Sequence, residues 1–286
     1  IFLLPLVVIS LVLGLASLPR EGAKTPKKLA LRPVIALSIM FFAFISALSA
    51  EHLMTFALLF IVGLVGAFLF FRFNRKESLI DLGILQNHRF VALIFSLLVY
   101  QALLLGLSFV LPSFIQVSAG FSSSVAGLFM FPGALIGAVL APISGKVLDQ
   151  IGARKPITTG LILAALGLAL LFVFLPTKSL ALLLVAHIVL MLGLGISYSN
   201  LMTCSLSTLA TDQLSDGNAL VNTLQQFIGA VATAVVATTL SIFQGLNGFK
   251  VGTSHGTSII LALFFILIIV SLIVSFPNLK KIRANH

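Results

Sequence analysis

The sequence predicts an all-α polytopic membrane protein, and three observations carry that prediction. Charged residues make up only 8% of the chain against 59% hydrophobic residues, with a mean hydropathy of +1.21. Apolar stretches that span or nearly span a bilayer recur nine times along its 286 residues. Lys and Arg gather between these stretches, on alternate sides. A water-soluble domain carries roughly a quarter charged residues, so this chain has too few ionic groups to cover an aqueous surface. Its natural solvent is lipid.

A helix needs about 20 mostly apolar residues to cross a hydrocarbon core of roughly 30 Å. The predicted spans are 1–18, 32–49, 54–72, 90–116, 124–144, 157–175, 179–208, 217–243 and 257–276. The first lacks a basic segment before it and a small-residue cleavage site after it, so it reads as a span and not as a signal peptide. The chain starts without Met inside this apolar run, which leads us to expect an N-terminally truncated fragment.

Basic residues fix the expected direction of the spans. Arg20, Lys24, Lys27, Lys28 and Arg32 fall on one side, with Arg72, Arg75, Lys76 and Arg89, then Lys146, Arg154 and Lys155, and finally Lys280, Lys281 and Arg283. Only Lys178 and Lys250 of the 17 fall on the other. The positive-inside rule then places the C-terminus in the cytoplasm of a multi-pass protein of the cell (plasma) membrane, with lipid as its standing partner. The same dispersion argues against nucleic acid as the partner of the +10 net charge, because no contiguous basic face forms.

Connection lengths divide the chain into four parts. Residues 1–18 are a terminal helix, and 19–89 are a two-helix hairpin with long charged linkers. Residues 90–276 form a six-helix bundle with short connections, and 277–286 are a basic tail. Lys24 to Arg32 could attract anionic lipid head groups, although a topogenic role already accounts for them. Cys204 is the only cysteine, so neither an internal disulfide nor a cysteine-based metal site can form. No metal or cofactor is expected. No His-Glu-x-x-His run, phosphate loop or His/Asp/Glu cluster appears, and an enzyme is therefore not expected.

The connection after the fifth span carries Gly145, Asp149, Gly152, Arg154, Lys155 and Pro156. Two glycines permit a tight reversal, Pro156 opens the next helix, and Asp149 is placed to pair with a basic residue or cap a helix. On spacing alone this is a charged turn. It also resembles motif A of the major facilitator superfamily, G-x-L-a-D-r-x-G-r-k, with Gln150 and Ala153 replacing usual basic positions. Leu111 to Gln116, Gly120 to Ser122, Ala126 to Gly133, Leu79 to Leu82 and Asn218 to Gln226 are similar, in order and spacing, to the 14-helix drug:proton antiporter branch of that superfamily. The two-helix insert distinguishes that branch from its 12-helix relatives.

The resemblance implies the C-terminal part of a major-facilitator-type fold. It also implies a small-molecule substrate and proton-coupled export of lipophilic drugs or toxic compounds, with the motif A-like residues acting in gating. Five further helices would precede the chain, including the first motif A copy and a charged fourth helix. The seven carboxylates here all lie in connections or at span ends, so proton-coupling groups are expected in that missing half. A fragment without it is expected to be inactive alone. An exporter of a defined endogenous solute and a non-transporting helical scaffold remain the alternatives.

Polar residues inside spans are the candidate cavity wall. Gln101, Ser108, Pro112 and Gln116 fall within about 80° on a helical wheel, and Asn218, Asn222, Gln225, Gly229 and Thr233 do the same in the eighth span. His187, Met191, Leu194, Tyr198 and Met202 form one stripe in the seventh. An amide facing acyl chains leaves its donors unpaired, so these stripes face a cavity or another helix. The substrate-cavity candidates are Gln101, Ser108, Gln116, His187, Tyr198, Asn222, Gln225 and Gln226. His187 has no carboxylate within helical reach, which favours an interhelical hydrogen-bonding role over proton carriage. Gly133, Gly137, Ala141 and Gly145, spaced by four, predict a close-packed or sliding helix face, and Pro132 and Pro142 could bend it.

Overall fold

Side chains cap the starts of the fourth and fifth long helices, and glycines with positive φ end the fifth and the eighth. The computed structural model describes residues 4–17, 30–50, 52–77 and 79–279. Its helices are α1 (Leu4–Ser17), α2 (Leu31–Leu48), α3 (Leu53–Asn74), α4 (His88–Ser113), α5 (Ser123–Ile151), α6 (Arg154–Phe174), α7 (Leu180–Leu206), α8 (Leu214–Asn247) and α9 (Phe249–Asn278). Eight of them, α2 to α9, are long and apolar enough to cross a membrane, and the described part of the first span is the shorter α1. Arg20, Lys24, Lys27, Lys28, Glu51, Lys280, Lys281 and Arg283 lie outside the described residues.

The chain separates into a first unit, Ile1–Leu31, and a second, Arg32–His286. In the first, α1 is apolar along its length. The second is built as follows. Asn87 caps α4 by accepting from the Arg89 and Phe90 amides at 3.1 and 3.2 Å, while its own amide donates to Thr208 O beyond α7. A capping side chain of this kind contributes about 1 kcal/mol in all. Asn74, buried at the end of α3, accepts from the Leu79 and Ile80 amides and donates to Ile80 O. It thereby ties down the link to α4. Gly152 (φ 75°) and Gly248 (φ 76°) make the reversals between α5 and α6 and between α8 and α9.

Several helices overshoot the predicted spans. The ninth starts at Phe249, eight residues early, so Lys250 and His255 are helical. The fifth continues to Ile151, so Gly145 and Asp149 sit in its last two turns and not in a loop. Hydropathy ends at the membrane edge, whereas a helix ends only where a cap or a positive φ stops it. Of the two glycines expected to make this turn, only Gly152 does so.

α4 is the buried core helix, with Phe90, Leu93, Leu97, Tyr100, Leu103 and Leu107 all inaccessible. α6 and α7 run antiparallel and touch through glycine. A Cβ on Gly193 would lie 2.6 Å from Ala164 N, and one on Gly167 would lie 2.5 Å from Leu190 N. Such backbone-to-backbone approach is how helices gain packing energy in lipid. The hairpin helix α2 lies along α8, where the Phe41 and Phe227 rings stack at 4.3 Å and Thr238 Oγ1 donates to Leu48 O at 2.9 Å.

Lys146, Arg154, Lys155, Arg89, Arg72 and Arg75 share one end of the second unit, here called the basic end. Lys178 and Lys250 lie at the other.

Candidate functional site

Three helices bring polar side chains together near mid-span. α4 contributes Tyr100 and Gln101, α7 contributes Ser197 and Tyr198, and α8 contributes Gln225. The Tyr198 hydroxyl is the hub: it donates to Gln101 Oε1 and accepts from Gln225 Nε2, both at 2.6 Å. Behind it, Ser197 Oγ lies 2.8 Å from the Tyr100 hydroxyl and 2.7 Å from Gly193 O. A carbonyl cannot donate, so when both bonds form Ser197 gives its proton to Gly193 and receives one from Tyr100. The two tyrosine rings lie 6.5 Å apart.

Burial grades across this cluster. Tyr100 and Ser197 are fully buried, Gln101, Tyr198 and Gln225 are half-buried, and Gln226 is exposed. The bonds use one end of each amide, and Gln101 Nε2 and Gln225 Oε1 make no hydrogen bond among the described residues. Gly229 lets α8 close on α4 here, since a side chain at that position would run into Leu105 and meet Gln101. The site holds no ionised group. Chemically it is a wall of neutral donors and acceptors in a low-dielectric setting, where each bond counts for more than in water.

Other candidates fall elsewhere. Ser108 donates to Leu105 O, Gln116 to Pro112 O, and Asn222 to Asn218 O and Oδ1. Each thus bonds to a residue three or four positions earlier in the chain, and none joins the cluster. His187 sits eleven residues from Tyr198, about 16 Å along α7, against Phe129 and Gly133 of α5. The interhelical hydrogen bond expected of it does not form among the described residues. Phe129, Gly133 and Met191 meet there, and they offer no side-chain N–H, O–H or oxygen to the ring. Tyr100 and Ser197 were not among the sequence candidates. The signal that points to Tyr100 is rarity, since the chain has two tyrosines and both meet in this cluster; no comparable signal marks Ser197.

The motif A-like residues lie at the basic end. Arg154 opens α6, with its guanidinium over the Phe276 ring of α9 at 4.3 Å. Asp149 and Lys155 are exposed, and among the described residues Asp149 makes no ion pair with Arg154 or Lys155. The small-residue face of α5 is only partly packed. Gly133 meets His187 and Met191, while positions 137 and 145 face open space. The seam with α7 instead runs through Gly133, Leu140 opposite Gly195, and Ser144, whose carbonyl accepts from Asn200. Steps of seven and four keep one face toward a neighbour, whereas repeated steps of four drift around the helix. α5 stays helical through Pro132 and Pro142, and Ala141 is half-buried.

A separate apolar groove of about 290 Å³ lies between α4, α8 and α9, lined by Phe95, Val99, Ala102, Ile228, Ala232 and Phe264 among others. Gln101 and Gln225 do not line it.

Residues 1–234 match the Major Facilitator Superfamily. The lincomycin resistance protein LmrB of Listeria monocytogenes is 29% identical over 248 residues, covering 84% of this chain and 53% of that protein. The multidrug resistance protein B homolog of Mycobacterium tuberculosis is 30% identical over 185 residues, covering 63% of this chain and 34% of its own length. The multidrug efflux pump LfrA of Mycolicibacterium smegmatis is 25% identical over 190 residues, covering 66% and 38%. The chain thus spans about half the length of LmrB.

Proposed function

The chain belongs to the Major Facilitator Superfamily, and on that premise we propose that it is the substrate-binding C-terminal part of a proton-coupled exporter of lipophilic or toxic compounds. The observation that supports this most directly is the Gln101–Tyr198–Gln225 cluster, in which three helices present unused amide valences beside the open Gln226 edge. The names of the relatives, which concern resistance and efflux, point the same way.

In this reading Gln101, Tyr198 and Gln225 orient the polar groups of a bound compound, and Gln226 guides it from the exposed edge. Ligand binding would exchange hydrogen bonds within the cluster for bonds to the ligand, so little is lost when the site empties. The motif A-like residues Gly145, Asp149, Gly152, Arg154 and Lys155 would act at the basic end as a cytoplasmic gate. The uncovered face of α5 around Gly137 and Ala141 would pack against a helix of a second bundle, around which access alternates. The C-terminus would face the cytoplasm of the cell membrane, as the basic end suggests.

The test is ethidium efflux from cells expressing the complete reading frame that contains these 286 residues. Efflux that collapses with a protonophore, and falls about tenfold in Gln225→Ala, is the expected result. Protonophore-resistant efflux would count against proton coupling, and an unaltered Gln225→Ala rate would count against the site.

A further inference from the structure

We propose that His187 is a proton-binding site whose charging is linked to the separation of α5 from α7. His187 lies in the half of α7 nearer Lys178 and has no exposed surface. Its ring stacks on Phe129 of α5, with centroids 5.4 Å apart and planes 29° apart. The ring edge occupies the room left by Gly133, where a Cβ would stand 2.5 Å from Nε2. Among the described residues, neither Nδ1 nor Nε2 has a hydrogen-bond partner.

A neutral imidazole carries one donor and one acceptor, and here both are left unmade in an apolar seam. A phenylalanine would fill the same space without that cost. A polar ring held where nothing bonds it points to a second arrangement in which something does.

The ionisable groups on the helices packed against α7 are all accounted for elsewhere. On α4 they are His88 and Arg89 at the basic end and Tyr100, which bonds Ser197. On α5 they are Lys146 and Asp149, on α6 Arg154 and Lys155, and on α8 Asp216, all toward the basic end. Lys178, just before α7, donates to Ser118 O at 3.0 Å. None is bonded to the ring.

An imidazolium has two N–H donors, and in this arrangement neither ring nitrogen reaches a hydrogen-bond partner among the described residues. Charging and parting of the helices therefore go together. Pro132 has no N–H for the Leu128 carbonyl, so a backbone acceptor lies within one turn of Gly133 on the helix that would move. The step adds one proton, from a hydronium ion of the aqueous phase that reaches the ring as the helices part, to a ring-nitrogen lone pair; it breaks only that proton's former O–H bond and leaves a water molecule. Its use in transport rests on the proton-coupled reading above, although the linkage itself does not.

The test uses this chain in lipid nanodiscs, labelled with ¹⁵N-histidine. Comparison with His187→Gln identifies the His187 signals among the five histidines. The two ring nitrogens of a neutral imidazole resonate far apart and converge on protonation. Spin labels at exposed Leu135 on α5 and Val185 on α7, in a Cys204→Ala background, report the distance between those helices. The expected result is convergence of the His187 nitrogens and widening of the Leu135–Val185 distance over the same pH interval. Both changes should be absent in His187→Phe, whose unchanged distance at high pH shows that the seam still forms. Convergence without widening, widening that persists in His187→Phe, or no convergence in the folded protein would each overturn the proposal. Efflux indifferent to a pH gradient would remove the proton-coupled reading and leave this linkage standing.

Discussion

Replacing Tyr198 with phenylalanine removes one oxygen and two hydrogen bonds, both 2.6 Å long. A buried hydrogen bond contributes about 0.5–1.5 kcal/mol net, and side-chain bonds between membrane helices average about 0.6 kcal/mol. Two bonds therefore set the loss at about 1–3 kcal/mol. The lower half of that range is expected, because Gln101 and Gln225 are half-buried and can turn toward each other or toward water once the hydroxyl is gone. The assay is reversible unfolding of the purified chain in mixed micelles, run as a double-mutant cycle with Gln225→Ala. Because the two side chains share one bond, the double variant should cost less than the sum of the singles by about 0.6–1 kcal/mol. Tyr100→Phe serves as the comparison, since it breaks only the bond to Ser197 behind the hub. Strict additivity of Tyr198→Phe and Gln225→Ala would refute the claim that Tyr198 joins α4 to α8.

Four further outcomes are expected. Gly193→Leu forces α7 away from Ala164 and Gly160, costing at least about 1–3 kcal/mol by overpacking, read as a lower unfolding midpoint. Gly152→Ala, at φ 75° and ψ 170°, strains a backbone conformation reserved for glycine by about 1–3 kcal/mol although its Cβ meets open space, which the same unfolding assay measures. Asn74→Ala frees the Leu79 and Ile80 amides, so limited proteolysis should cut the α3–α4 link faster than in the parent chain. In a Cys204→Ala background, an impermeant maleimide added to intact cells should label Lys250→Cys and not Lys146→Cys if the basic end faces the cytoplasm.

Much of the architecture is legible in the sequence because lipid imposes it. Long apolar runs between basic residues leave the backbone only one way to satisfy itself, and α2 to α9 form where those runs lie. Helix ends are less legible. Gly145 looks like a turn residue, yet glycine inside a helix costs only about 1 kcal/mol and nothing stops α5 until the positive φ of Gly152. In the site, Gln101, Tyr198 and Gln225 stand out as polar residues on wheel faces, and they do meet. Ser108, Gln116 and Asn222 stand out equally and bond locally instead. The periodicity of one helix cannot tell these cases apart, because whether an amide reaches across depends on how near the next backbone comes. Gly229 grants that nearness between α8 and α4, and Gly133 grants it at His187.

The central claim is that the Gln101–Tyr198–Gln225 cluster and its Gln226 edge form a ligand wall. The most direct measurement is labelling of Gln226→Cys by a membrane-permeant maleimide in the complete reading frame, with Cys204→Ala, in the presence and absence of ethidium. Thr177→Cys, exposed at the end opposite the basic one, is the control. The account predicts that ethidium slows labelling at position 226 and leaves position 177 unchanged. Equal labelling at 226 with and without ethidium, in a variant that still exports it, would contradict the account.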